Sequence, residues 1–141
     1  MNNSANWTGA GMLLLGAALT LSCGSRGPDL SGAVYRDQIP IYSPASLTEV
    51  MGGSTSDLEG GNVSHSASWW LDTPHSRAKV EAWYDQQIPN AQKSREDWGD
   101  GPVTVYKWAP KGGKPGEELT ITITDDDIQI TETIQGPRKG W

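Results

Sequence analysis

Chemistry has few places to reside in this chain. Its only thiol is Cys23 and its only imidazoles are His65 and His75. Neither histidine has a second ligand at a spacing such as His-x-x-x-His or Cys-x-x-Cys, so the pattern encodes no zinc site. His65 falls on the apolar side of an alternating segment and reads as a packed structural residue, whereas His75 stands near a helix start and reads as exposed. Gly52-Gly53-Ser54-Thr55-Ser56 comes within one residue of a nucleophile elbow, but no strong strand precedes it and no helix follows. Gly60-Gly61 has no lysine placed to complete a phosphate loop. Asp125-Asp126-Asp127 offers hard oxygen ligands for calcium, yet a tight hairpin does not gather the roughly six to eight oxygens such an ion takes, and turns favour aspartate anyway. Glu96-Asp97 and Glu117-Glu118 read as solvated charge. The expectation is a protein without catalytic residues, metal or cofactor.

Tryptophan is the one anomaly. The sequence holds seven Trp and no Phe. Trp69 and Trp83 fall on apolar faces and supply the aromatic volume that phenylalanine would otherwise give. Trp70 instead alternates with serines and Asp72 on an outward face, where a large aromatic suits stacking on a sugar ring or anchoring a partner. Trp70 with Trp98 or Trp108 is therefore the candidate ligand-binding platform.

Charge excludes one class of partner. With 17 acidic against 11 basic residues and a net charge of −6, the chain lacks the clustered Lys and Arg that bind a phosphate backbone, so no nucleic acid is expected. The apolar run Met12 to Leu21 has the length of a secretory h-region and falls short of the ~20 residues that span a bilayer. By its position behind that run, Cys23 is an anchor candidate. Leu19-Thr20-Leu21-Ser22-Cys23 resembles the lipobox of bacterial lipoproteins, with Ser22 the small residue wanted before the cysteine and Thr20 and Leu21 departing from the pattern. That resemblance implies a signal peptide over residues 1–22, a lipid on Cys23 and attachment to the cell envelope, on the outer membrane or periplasmic face if the cell is Gram-negative. A plain secretory leader, with Cys23 free or removed, and a cytoplasmic start are the alternatives. One cysteine leaves no intramolecular disulfide to form.

The elements that must position these residues follow from periodicity. Residues 23–38, rich in Gly, Ser, Pro and charge, read as anchor and flexible tether. A domain is expected over residues 39–134, with 135–141 a C-terminal tail. Ile39 to Ala45 is extended by its prolines, Leu47 to Met51 is a short strand or turn, and Gly52 to Asn62 is a loop. Val63, His65, Ala67, Trp69 and Leu71 alternate with polar residues, the period of a half-buried strand. Thr73 as N-cap and Pro74 as first residue open an amphipathic helix that Pro89 ends. Its expected inner face holds Ser76, Val80, Trp83, Tyr84, Gln87 and Ile88.

About four more strands follow, at Gln92 to Trp98, Val103 to Trp108, Leu119 to Ile123 and Ile128 to Thr133. A turn at Asp125-Asp126 sets Ile123 opposite Ile128 and Ile121 opposite Ile130, so both isoleucine rows reach one face. The expected fold is α+β, one amphipathic helix packed on a four- to five-stranded mainly antiparallel sheet. Ile39-Pro40-Ile41-Tyr42, the strand end Asp72-Thr73 and Val80-Glu81-Ala82-Trp83-Tyr84 running to Ile88-Pro89 resemble an uncharacterised domain of small bacterial envelope lipoproteins. Ser43-Pro44 stands where that domain usually has Pro-Gly. The resemblance implies a fold and a location but no activity. Two functions fit this reading: a non-enzymatic tethered module that meets an envelope protein, and a glycan or cell-wall binding module.

Overall fold

The computed structural model describes residues 28–56 and 63–136. The expected signal peptide at 1–22, the lipid site Cys23 and the tail beyond Gly136 lie outside the described residues. Six strands and one helix are found among those described: β1 (Ser46–Ser56), β2 (Val63–Asp72), α1 (Arg77–Gln87), β3 (Gln92–Asp97), β4 (Pro102–Trp108), β5 (Glu118–Ile123) and β6 (Ile128–Gln135). They form one sheet in the order β1-β2-β6-β5-β4-β3, in which every neighbouring pair is antiparallel. The α+β class stands, with a sheet larger than the expected four or five strands. Gln135, expected in the tail, closes β6.

Alternation with period two builds the core. Ala67, Trp69 and Leu71 of β2, Ile128 and Ile130 of β6, Leu119, Ile121 and Ile123 of β5 and Tyr106 of β4 are buried together on one face. Val80 and Tyr84 of α1 close over them, as do Leu30, Ile39 and Tyr42 from the segment before β1. The hairpin register is the expected one: Ile123 pairs with Ile128 and Ile121 with Ile130. Its turn is held by the Thr124 hydroxyl, which accepts from the amides of Asp126 at 3.1 Å and Asp127 at 2.9 Å.

Three expectations change. The loop expected at Gly52 to Asn62 is strand as far as Ser56, because β1 runs beside β2 from Ser46↔Asp72 to Ser56↔Val63. A ladder along one side, broken only at a bulge between Leu47 and Glu49, outweighs the poor strand propensity of Gly and Ser, which is set by context more than by backbone preference. The helix begins at Arg77 with Ser76 as N-cap, not at Thr73 and Pro74. The Thr73 hydroxyl is spent elsewhere: it donates to the Pro44 carbonyl at 2.9 Å, tying the strand end to the extended segment, and accepts from the His75 amide at 3.3 Å. Ser76 and Gln87, expected on the inner face of the helix, are exposed. The buried stripe is only Val80, Glu81 and Tyr84, because the helix shares its layer with the N-terminal segment.

The third change is the tether. Residues 28–38 are part of the fold: Leu30 has no exposed surface, and the amides of Val34 and Tyr35 donate to the Glu132 carboxylate at 3.0 and 2.7 Å. Composition hid this, since scattered Leu30, Val34 and Tyr35 show no period. A segment that docks through backbone amides, one leucine and a few side-chain hydrogen bonds needs none.

Candidate functional site

The sheet has one covered face and one that carries hydroxyls. Paired residues of antiparallel strands share a face, so Trp70 stands with Glu49 and Gln129 on the side away from α1, and Trp69 with Val50 and Ile130 on the covered side. Trp69 is fully buried and Trp70 half-buried. Around Trp70 run cross-strand hydroxyl pairs, Ser68 with Thr131 at 2.9 Å and Ser66 with Thr133 at 3.2 Å. Further along the same row are Thr122 and Val105, both buried.

The three candidate tryptophans do not converge. Trp108 pairs with Leu119, which belongs to the covered face, and packs against the core. The platform of Trp70 with Trp108 is therefore excluded, because the sheet lies between them. The rim of Trp108 still lines an open hollow of about 470 Å³ with Asn90, Gln92, Lys107, Glu117 and Glu118. Trp98 follows β3, on the far edge from β1. Four strand spacings of about 4.8 Å separate β2 from β3, so Trp98 and Trp70 are roughly 20 Å or more apart and do not form one platform either.

Trp98 has a site of its own. Trp98 is 55% exposed, and its Nε1 donates to Glu96 Oε2 at 2.7 Å, which fixes the ring against its own strand. It lines a cleft of about 230 Å³ with Asp100, Pro102, Val103 and the turn Asp125-Asp126-Asp127. Two of those aspartates already have structural duties. Asp125 pairs with Arg77 Nη1 at 3.3 Å, and Asp127 Oδ1 accepts from the Thr124 hydroxyl at 2.9 Å. Among the described residues no group of His, Cys, Asp or Glu is placed to hold a metal ion. An aromatic wall beside carboxylates suits a hydroxylated or cationic group.

The buried polar groups were not foreseen. Glu132 is fully buried and anchors Val34 and Tyr35 as described. Glu117 accepts from the Tyr35 hydroxyl in a very short bond, from the Lys114 amide at 2.8 Å and from the Gln135 amide at 3.0 Å. Burial pushes the Glu117 carboxyl up, but those three donors outweigh it and hold it below the usual glutamate range. The same bond to Glu117, with burial and the charges of Glu117 and Glu132, raises Tyr35 to about 12. Glu81 on the helix accepts from the Thr104 hydroxyl at 2.5 Å and from Arg95 Nη2 at 3.1 Å. Beside it, Lys93 bonds Asp85 at 2.8 Å and, with the Tyr106 hydroxyl, holds that carboxyl below its ordinary range despite partial burial.

His75 is also committed, not merely exposed. Its Nδ1 lies 2.5 Å from the Tyr42 hydroxyl and its Nε2 3.3 Å from Lys79 Nζ. Lys79 can only donate, so the ring carries its proton on Nδ1 and donates it to Tyr42. His65 is half-buried opposite Ile134 on the covered side, the packed position expected of it. The signal for Glu132 was present in the alternation: it occupies an inward position between Ile130 and Ile134. Nothing in the local pattern marks Glu81 or Glu117. Comparison with protein-family models, with curated proteins and with solved structures finds no match to this chain.

Proposed function

We propose that this chain is a non-enzymatic envelope lipoprotein, a small module anchored through Cys23 that meets its partner with the sheet. The observation that carries the reading is how the polar groups are used. Glu81, Glu117 and Glu132 each bind backbone or side-chain donors that fasten the helix or the N-terminal segment to the covered face. Binding potential then resides on the other face and on the free edge of β1. The docking of residues 28–38 gives the anchor a new consequence. Only Gly24 to Gly27 separate Cys23 from Pro28, and a chain extends at most about 3.6 Å per residue, so a lipid on Cys23 holds the folded domain within roughly 18 Å of the bilayer. Two or more acyl chains make such attachment stable. The test is fractionation of cells making wild type or Cys23→Ser. The reading expects wild type in washed membranes and the serine variant in the soluble fraction; equal partition of the two would refute it.

A second reading is favoured by Trp98. An exposed indole beside carboxylates in a 230 Å³ cleft matches a glycan or cell-wall ligand, with the ring stacking on a sugar face and carboxylates accepting from its hydroxyls. Retention of the protein on a cell-wall glycan resin that is lost in Trp98→Ala, with the melt unchanged, is the result this reading expects. Equal retention of both proteins contradicts it.

A further inference from the structure

The two edges of the sheet are built differently. β3, at one edge, carries Lys93, Arg95, Glu96 and Asp97 within its six residues, the charge density with which proteins guard an open ladder against pairing. β1, at the other edge, carries only Glu49 in eleven residues. Ser46 to Gly53 are all exposed, with Val50 at 47% and Met51 at 57%. β1 is thus long, almost uncharged and apolar at its centre, the kind of edge that accepts another strand.

We propose that β1 is the dimer interface of this protein, pairing antiparallel with β1 of a second copy across a two-fold axis. Three features favour a second copy over any other strand. First, the strand complements itself. Centred on Gly52, the pairing sets Met51 of each copy across from Gly53 of the other, and a side chain built at Gly53 would meet nothing within 4 Å, so there is open space for Met51 to cover. Second, the lone charge is not opposed by its mate. Glu49 lies three positions from the centre, so the two carboxylates end up six residues apart along the sheet, roughly 20 Å at about 3.4 Å per residue. Third, the contact closes. Two-fold pairing uses both open edges and leaves a charged β3 at each end of a doubled sheet, whereas β1-to-β3 pairing would propagate as a fibre and set the β3 charges against a strand holding only Glu49.

The bulge between Leu47 and Glu49, where the Thr48 hydroxyl donates to the Trp70 carbonyl at 3.1 Å, interrupts the ladder and limits the pairing to the portion from Glu49 onward. Both hydroxyl-bearing faces would then lie on one continuous sheet. This inference does not depend on lipidation of Cys23.

Sedimentation of the full-length chain in mild detergent across the micromolar range is the test, beside a Val50→Glu, Met51→Glu double variant and a Gln92→Glu control on β3. Wild type and control are expected to be dimers. The double variant, with three successive carboxylates on each copy, is expected to dissociate about 100-fold or more readily, because the two residues 51 are diagonal neighbours on one face, roughly 7–8 Å apart, and each new carboxylate would lose water at the seam. Both altered positions are exposed, so its melt should match that of wild type diluted until it is monomeric, where association adds no stability. Gly52→Cys in a Cys23→Ser background should cross-link to a disulfide dimer on oxidation and report the register. A monomeric wild type, a double variant that dimerises as well as wild type, species that grow without limit, or a monomer that captures an added extended peptide on β1 would each overturn the proposal.

Discussion

At the scale of single residues, the molecule turns on carboxylates that face inward. Removing Glu132 as Glu132→Ala leaves the part-buried Val34 and Tyr35 amides without their acceptor, a loss of about 1 kcal/mol or more. Chemical denaturation should show it, and hydrogen exchange should place it by a selective rise at those two amides. Glu117 and Tyr35 set the pH range of the same joint. The Glu117 carboxyl is held below its ordinary 4.5, so its contribution is complete above that pH and disappears as acid protonates it. Tyr35, raised from 10.0 to about 12, contributes fully below pH 10 and loses its contribution as pH climbs toward 12. Glu117→Gln should therefore flatten the acid limb of a pH series of urea midpoints, and an unchanged acid limb would show that Glu117 does not hold this segment. The paired tryptophans separate by face. Trp69→Ala is expected to cost ~3–5 kcal/mol as a fully buried aromatic, and Trp70→Ala clearly less because its ring is half-buried. Equal losses in parallel melts would mean that Trp70 is as much a core residue as Trp69.

At the scale of elements, what local alternation dictates was legible in the sequence, and what distant partners dictate was not. The β5–β6 hairpin is specified by two isoleucine rows and a turn of aspartates, all within one short stretch, and its register was readable to the residue. β1 carries no such pattern. Its strand character comes from β2, and Gly52-Gly53 read alone suggests a loop. The helix start was misread for a related reason, since Thr73 is a good N-cap in isolation and is recruited by Pro44 in the fold. Residues 28–38 dock through Leu30, backbone amides and a few side-chain hydrogen bonds, which no side-chain period announces. Ile123→Ala should lose ~2–5 kcal/mol. Thr122, on the face opposite the isoleucine rows, is buried in the row of Trp70 and Val105, so Thr122→Ala should register in urea melts as well.

At the scale of the whole molecule, the described residues form one sheet covered on one side by a helix and an N-terminal segment, with β1 an edge strand among them. Of the candidate site, the outward placement of Trp70 was legible because consecutive strand residues face opposite ways. The separation of Trp70 from Trp98 and Trp108 was not, because it depends on strand order, which places β3 four strands from β2. Among the described residues no helix is long and apolar enough to cross a membrane. The proposed attachment is through Cys23. The most direct measurement of that claim is the intact mass of the protein extracted from washed membranes. The account predicts a chain that begins at Cys23, lacks residues 1–22 and carries the added mass of acyl chains. A chain recovered with its leader still present, or one beginning at or after Cys23 without lipid mass, would contradict it.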